Sequence, residues 1–113
     1  MLSIDELEQL AVNALEELKG NEITVIDVSE QTDVASRMVI ASGTSNRHVR
    51  SLADNVAMEA KRADAPPLSK EGEDSGEWVL VDLGEVLVHV MLPETRDYYN
   101  LEKFWEDFQR EEG

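Results

Sequence analysis

Met38, Val39, Ile40 and Ala41 are apolar without alternation, so a strand built from them must be covered on both faces. Gly43 breaks that run, and from Ser45 onward the period becomes helical. Val49, Leu52, Ala53, Val56, Ala57 and Ala60 fall on one side, with Asn46, Arg47, Arg50, Asp54, Glu59 and Lys61 on the other. A buried strand that turns on one glycine into an amphipathic helix requires a sheet with a helix packed on it. Ser45 is the natural N-cap of that helix.

The 113 residues are enough for one hydrophobic core and not for two, so residues 1–113 are read as a single domain. Ser3 and Glu6 make a capping box ahead of Ile4, Leu7, Leu10, Ala11, Ala14, Leu15 and Leu18, and Gly20 supplies the stop. Residues 23–28 read as a β-branched strand. The helix that begins at Ser45 ends before Pro66 and Pro67, and residues 64–77, rich in proline, glycine and charge, read as a flexible surface loop. That loop leads to the strand starting at Trp78. Strand, helix and strand are therefore expected to form a right-handed crossover with parallel strands.

Residues 78–91 read as a hairpin closing at Gly84 and Glu85. A two-residue loop sets Leu83 opposite Val86, Val81 opposite Val88 and Val79 opposite Val90, a wholly apolar face. The other face carries Trp78 with Met91, Leu80 with His89, and Asp82 with Leu87. After Leu92 and Pro93 the chain is expected to turn, with Leu101, Phe104, Trp105 and Phe108 forming the stripe of a terminal helix and residues 109–113 frayed. The fold class is α/β (α+β), a mixed sheet with a crossover and a hairpin in its C-terminal half.

The formal net charge is -15, from 25 acidic and 10 basic residues, which disfavours direct contact with nucleic acid and suits a basic protein partner. Acidity also serves plain solubility. With no cysteine, disulfides and thiolate chemistry are excluded, and a metal would need His48, His89 and carboxylates. The first residues lack the pattern of a secretory or transit leader, and no apolar run approaches the roughly 20 residues of a membrane span, so the expectation is a cytoplasmic protein without a membrane partner.

Chemistry is sparse. Gly43, Thr44 and Ser45 could offer amides to a phosphate, but a turn glycine and an N-cap explain them as well. His48 reads as a neutral hydrogen-bonding residue, and His89 as a packed one. No catalytic residue, metal site or cofactor site is assigned. Trp78, at a strand start, suits an interface and a core equally.

Three segments carry a family resemblance: residues 39–49 through the glycine turn, residues 78–90 with Trp78, Asp82, Leu83, Gly84 and His89, and Tyr99, Asn100, Leu101, Glu102 and Lys103 with Trp105 just after. Together they resemble the ribosomal silencing factor family, also called Iojap-related. The resemblance implies a nucleotidyltransferase-like fold without its metal site. It also implies binding, without catalysis, to a protein of the large ribosomal subunit's joining face, the one numbered fourteen in that subunit's series, so that the small subunit is excluded and translation repressed. Trp78, Asp82, Leu83, Glu85, His89 and Met91 are then the partner-binding residues, with Tyr99 as an addition, and Trp78 is tipped towards interface. Family members are similar in forming homodimers. Two positions depart from the family pattern: Ser36 stands where an aspartate is usual, and Arg37 where an apolar or aromatic residue is usual. The alternative function is that of a nucleotide-binding or nucleotidyltransferase-like protein, which would need a pair of carboxylates that Asp54, Asp82 and Glu85 do not supply.

Overall fold

The computed structural model describes residues 2 to 105. Helix α1 (Ile4–Glu17) begins on the expected capping box: Ser3 Oγ accepts from the Glu6 amide at 3.1 Å, and the Glu6 carboxylate accepts from the Ser3 amide at 2.9 Å. Two amides that would otherwise lack partners are satisfied. Strand β1 (Asn21–Asp27) pairs antiparallel with β2 (Arg37–Ser42), and α2 (Asn46–Arg62) follows. Then come β3 (Ser69–Glu71), β4 (Trp78–Asp82), β5 (Val86–Met91) and α3 (Pro93–Tyr99). The five strands form one mixed sheet in the order β1-β2-β5-β4-β3.

Strand β2 is covered on both faces, as its lack of alternation required. Val39 and Ala41 join the cluster made by the apolar stripes of α1 and α2 with Val79, Val81, Val88 and Val90. Met38 and Ile40 point the other way, into a smaller cluster with Val28 and Met91, onto which Trp78, Leu101 and Trp105 pack. The turn between β2 and α2 admits only glycine. A Cβ on Gly43 would lie 2.8 Å from Val49 Cγ2 and 2.9 Å from the Val49 amide nitrogen, so a side chain there would push α2 off the sheet. Ser45 caps α2, its Oγ accepting from the His48 amide at 3.1 Å.

The expected crossover needs correction. The strand beginning at Trp78 does not run parallel to β2: the parallel neighbour of β2 is β5, and β4 is antiparallel to β5. The cause is β3, a short edge strand inside the expected loop, which pairs antiparallel with β4 and reverses the chain once more. It is β3 that shares the direction of β2. Residues 64–77 are also fastened to α2: Arg50 donates to the carbonyls of Glu73 at 2.7 Å and Asp74 at 2.8 Å, Asn46 donates to that of Ser75 at 2.8 Å, and Lys70 pairs with Asp54 at 2.6 Å.

Beyond Leu92 the chain forms α3 where only a turn was expected. Pro93 sits in its first turn, where a missing amide hydrogen is harmless. Asn100, left-handed at φ 48°, ends it before residues 101–105 resume a helical course. Phe104 is exposed there, whereas Leu101 and Trp105 pack inward, so the expected stripe is narrower than drawn. Phe108 and the tail 109–113 lie outside the described residues.

Candidate docking surface

The hairpin register is the one its turn dictates. Trp78 pairs with Met91, Val79 with Val90, Leu80 with His89, Val81 with Val88 and Asp82 with Leu87, and the Leu83 amide donates to the Val86 carbonyl at 3.0 Å. Asp82 Oδ1 accepts from the Gly84 amide at 2.8 Å, while Gly84 takes φ +90°, a conformation that glycine adopts without a Cβ penalty. Because side chains alternate, the valines go under α1 and α2, and Trp78, Leu80, Asp82, Leu87, His89 and Met91 go to the opposite face. Among the described residues, Val28, Leu101 and Trp105 pack on that second face, and Tyr99 of α3 meets Trp78 there.

Trp78 is held there from two sides. Its Nε1 donates to His89 Nδ1 at 3.0 Å, and its ring lies tilted against Tyr99 with centroids 4.8 Å apart. Tyr99 in turn meets Tyr98 edge to face at 5.0 Å. Tyr98 is 82% exposed and Tyr99 53%, so a half-buried indole opens onto two largely free phenols. Rigid rings with a polar tip and few rotatable bonds suit an interface centre. Tyr98 is an addition to the partner-binding residues assigned from the sequence.

An indole nitrogen can only donate, so His89 Nδ1 must accept and the ring proton resides on Nε2. That Nε2 is buried without a hydrogen-bond partner, and His89 is only 7% exposed. Burial lowers its pKa to about 4. The unfolded histidine takes a proton near pH 6.5 and the folded one does not until about pH 4, so stability is lost as the pH falls between those values. The expected loss is about 2 to 3 kcal/mol relative to His89→Leu, which lacks the titration. Urea melts of both proteins at pH 7 and pH 4.5 check it: parallel losses of stability would show that His89 is not held neutral.

The remaining candidates divide. Asp82 is partly buried and Glu85 exposed at the hairpin tip, where Glu85 accepts from Ser36 Oγ. Met91, expected to enter a partner's pocket, is wholly buried, and Leu83, at 9%, lies on the helix-covered side. Both support the surface from within and present no side chain to it. The two departures also find partners. Ser36 binds Glu85, and Arg37 spans Asp5 at 3.1 Å and Glu8 at 3.3 Å on α1, the Asp5 pair being largely exposed and of small energetic weight.

Sequence reasoning missed Arg96. Almost fully buried in α3, it donates to both Glu102 carboxylate oxygens at 2.8 and 3.2 Å, to Ser42 Oγ at 3.0 Å, to Thr24 Oγ1 at 3.1 Å and to the Asn21 carbonyl at 3.4 Å. Its five N–H donors are all used. This fork ties α3, and with it Tyr99, to β1 and β2.

The turn at Gly43 offers little to a phosphate. The Thr44 amide donates to His48 Nδ1 at 2.9 Å, and His48 Nε2 donates to the Leu18 carbonyl at 2.7 Å, which is the neutral hydrogen-bonding role expected of it. Among the described residues no three histidine, aspartate or glutamate side chains gather as a metal site, and no helix is long and apolar enough to cross a membrane.

The profile of the family described as "Ribosomal silencing factor during starvation" matches residues 2–113. The chain belongs to the ribosomal silencing factor family. The Chromobacterium violaceum silencing factor is 48% identical over 104 residues, covering 92% of this chain and 85% of that protein. The Haemophilus influenzae silencing factor is 37% identical over 99 residues, covering 88% and 97%. A crystal structure of a Chromobacterium violaceum protein, also 48% identical, superposes with a TM-score of 0.92 over 93% of this chain and 88% of that one. The mixed five-stranded sheet with its helices is thus the fold of the silencing factor family.

Proposed function

We propose that the protein docks on the large ribosomal subunit, through the joining-face protein numbered fourteen, and excludes the small subunit by occupying its place. The observation that carries this reading is Trp78, pinned by His89 and packed at a tilt against Tyr99 on the sheet face opposite α1 and α2, in a chain of this family. Trp78, Tyr98 and Tyr99 form the apolar centre, and Asp82 and Glu85 face the partner's lysines and arginines. The interaction is binding without catalysis, takes place in the cytoplasm, needs no cofactor or metal, and makes little direct contact with RNA. The same reading allows pairing into a homodimer.

The test is subunit joining. Purified subunits mixed at joining concentrations of magnesium, with the protein in excess over large subunits, should give fewer joined particles in a sucrose gradient, with no nucleotide added. Protein freed of metal by a chelator and then exchanged into the joining buffer should act equally well. Unchanged joining at saturating protein would refute the proposal, and a requirement for nucleotide would revive the nucleotidyltransferase-like alternative.

A further inference from the structure

We propose that the groove along the outer side of α1 is a docking site for a basic amphipathic helix of another protein. Two open depressions make the groove. One, of about 570 Å³, lies between the start of α1, the chain just after α2 and the β4–β5 turn. The other, of about 380 Å³, continues along α1 towards Glu17, and the two meet at Leu2 and Glu6.

The apolar lining is Leu2, Leu7, Leu10, Ala65, Pro66 and Leu83, most of it in the larger depression, while Gln9 and Asn13 line the smaller one. Leu68, 74% exposed, stands beside Gly84 at one end and extends the apolar strip onto the surface. The rim has one sign. Glu6, Glu17, Glu59, Asp64 and Glu85 line the two depressions, and among the described residues no lysine or arginine does. Arg62 pairs with Glu59 at 3.2 Å and offsets one of these charges.

Length and charge together choose the occupant. The groove follows α1 from Leu2 to Glu17, roughly 22 Å at 1.5 Å per residue, which matches about four turns of a second helix. Its apolar part, along the first turns of α1 from Leu2 to Leu10, takes the apolar face of an amphipathic helix, read as anchors three and four residues apart. Carboxylates on the rim then meet lysines or arginines flanking that face, and repel an acidic helix. Leu7 and Leu83 belong to the helix-side cluster and Trp78 to the opposite one, so the groove lies across the sheet from the aromatic surface. The two share Glu85 at the hairpin tip, while their apolar centres lie on opposite faces of the sheet.

Nitrogen–proton correlation spectra of the full chain, titrated with a synthetic 18-residue amphipathic peptide of leucine and lysine, test the proposal. The expected result is a set of shifts confined to amides along the groove, such as Leu10, Ala65 and Gly84, saturating at micromolar peptide. A leucine–glutamate peptide of the same pattern should leave the spectrum unchanged, as should the leucine–lysine composition in a non-amphipathic order. The double variant Glu17→Gln with Asp64→Asn should bind about fivefold more weakly, and asparagine keeps the left-handed backbone of residue 64 accessible. Shifts spread over the acidic surface, or centred on Trp78, would overturn the proposal. So would groove shifts that grow with protein concentration alone, which would give the groove to a second copy of this chain.

Discussion

Replacing Arg96 by alanine is expected to destabilise the protein by about 3 to 5 kcal/mol, the range found when one member of a buried ion pair is removed. The guanidinium is 6% exposed and donates five hydrogen bonds, so its loss leaves Ser42 Oγ, Thr24 Oγ1 and the Glu102 carboxylate without their donor. On a domain of this size that corresponds to a fall in melting temperature of roughly 12 to 20 °C, at about 4 °C per kcal/mol. Arg96→Lys separates fork from charge. An ammonium has three donors on a point, and no placement of it reaches two carboxylate oxygens, two hydroxyls and a carbonyl at once. The lysine variant should therefore recover less than half of the loss in a thermal melt. Full recovery would mean that charge alone holds α3 in place.

The second large effect is on binding. Trp78→Ala should weaken affinity for the large subunit by about 2 kcal/mol or more, the scale of an interface hot spot. On the usual conversion of roughly 1.4 kcal/mol per decade this is a thirtyfold loss or greater. Trp78 is half-buried, so the change will also lower stability, and the two effects must be read apart. A paired measurement of melting temperature and affinity does so: in a variant still folded at the assay temperature, the affinity loss remains. Asp82→Asn is the quieter companion, since an amide oxygen can still accept from the Gly84 amide while the charge is gone. Its stability should be nearly unchanged and its affinity reduced. A folded Trp78→Ala protein that binds normally would move the docking surface elsewhere.

What the sequence made legible, and what it hid, follows from the range of the interactions involved. The hairpin register could be written residue by residue because a two-residue turn at Gly84 and alternating valines determine it locally. The turn at Gly43 and the caps at Ser3 and Ser45 are likewise local. Strand β3 was hidden because Ser69, Lys70 and Glu71 contribute backbone pairing and no apolar signal. Helix α3 was hidden because it is seven residues long and begins at a proline that marks turns as readily as helix starts. Arg96 looked like one of several charges on a surface segment. Its acceptors at Asn21, Thr24 and Ser42 lie 75, 72 and 54 residues away in the chain, where no spacing rule reaches. The burial of Met91 is of the same kind: the hairpin puts it beside Trp78, and it is packed in a cluster with Val28, Met38 and Ile40, with Leu101 and Trp105 against it, from distant parts of the chain.

The central claim is that this chain acts by occupying the large subunit, and co-sedimentation tests it most directly. Large and small ribosomal subunits, separated and incubated with equal amounts of the protein, are spun through a cushion and the pellets assayed for it. The account predicts recovery with the large subunit at near one-to-one stoichiometry and none with the small subunit, and loss of that recovery in a folded Trp78→Ala variant. Recovery with the small subunit, or with neither, would contradict it.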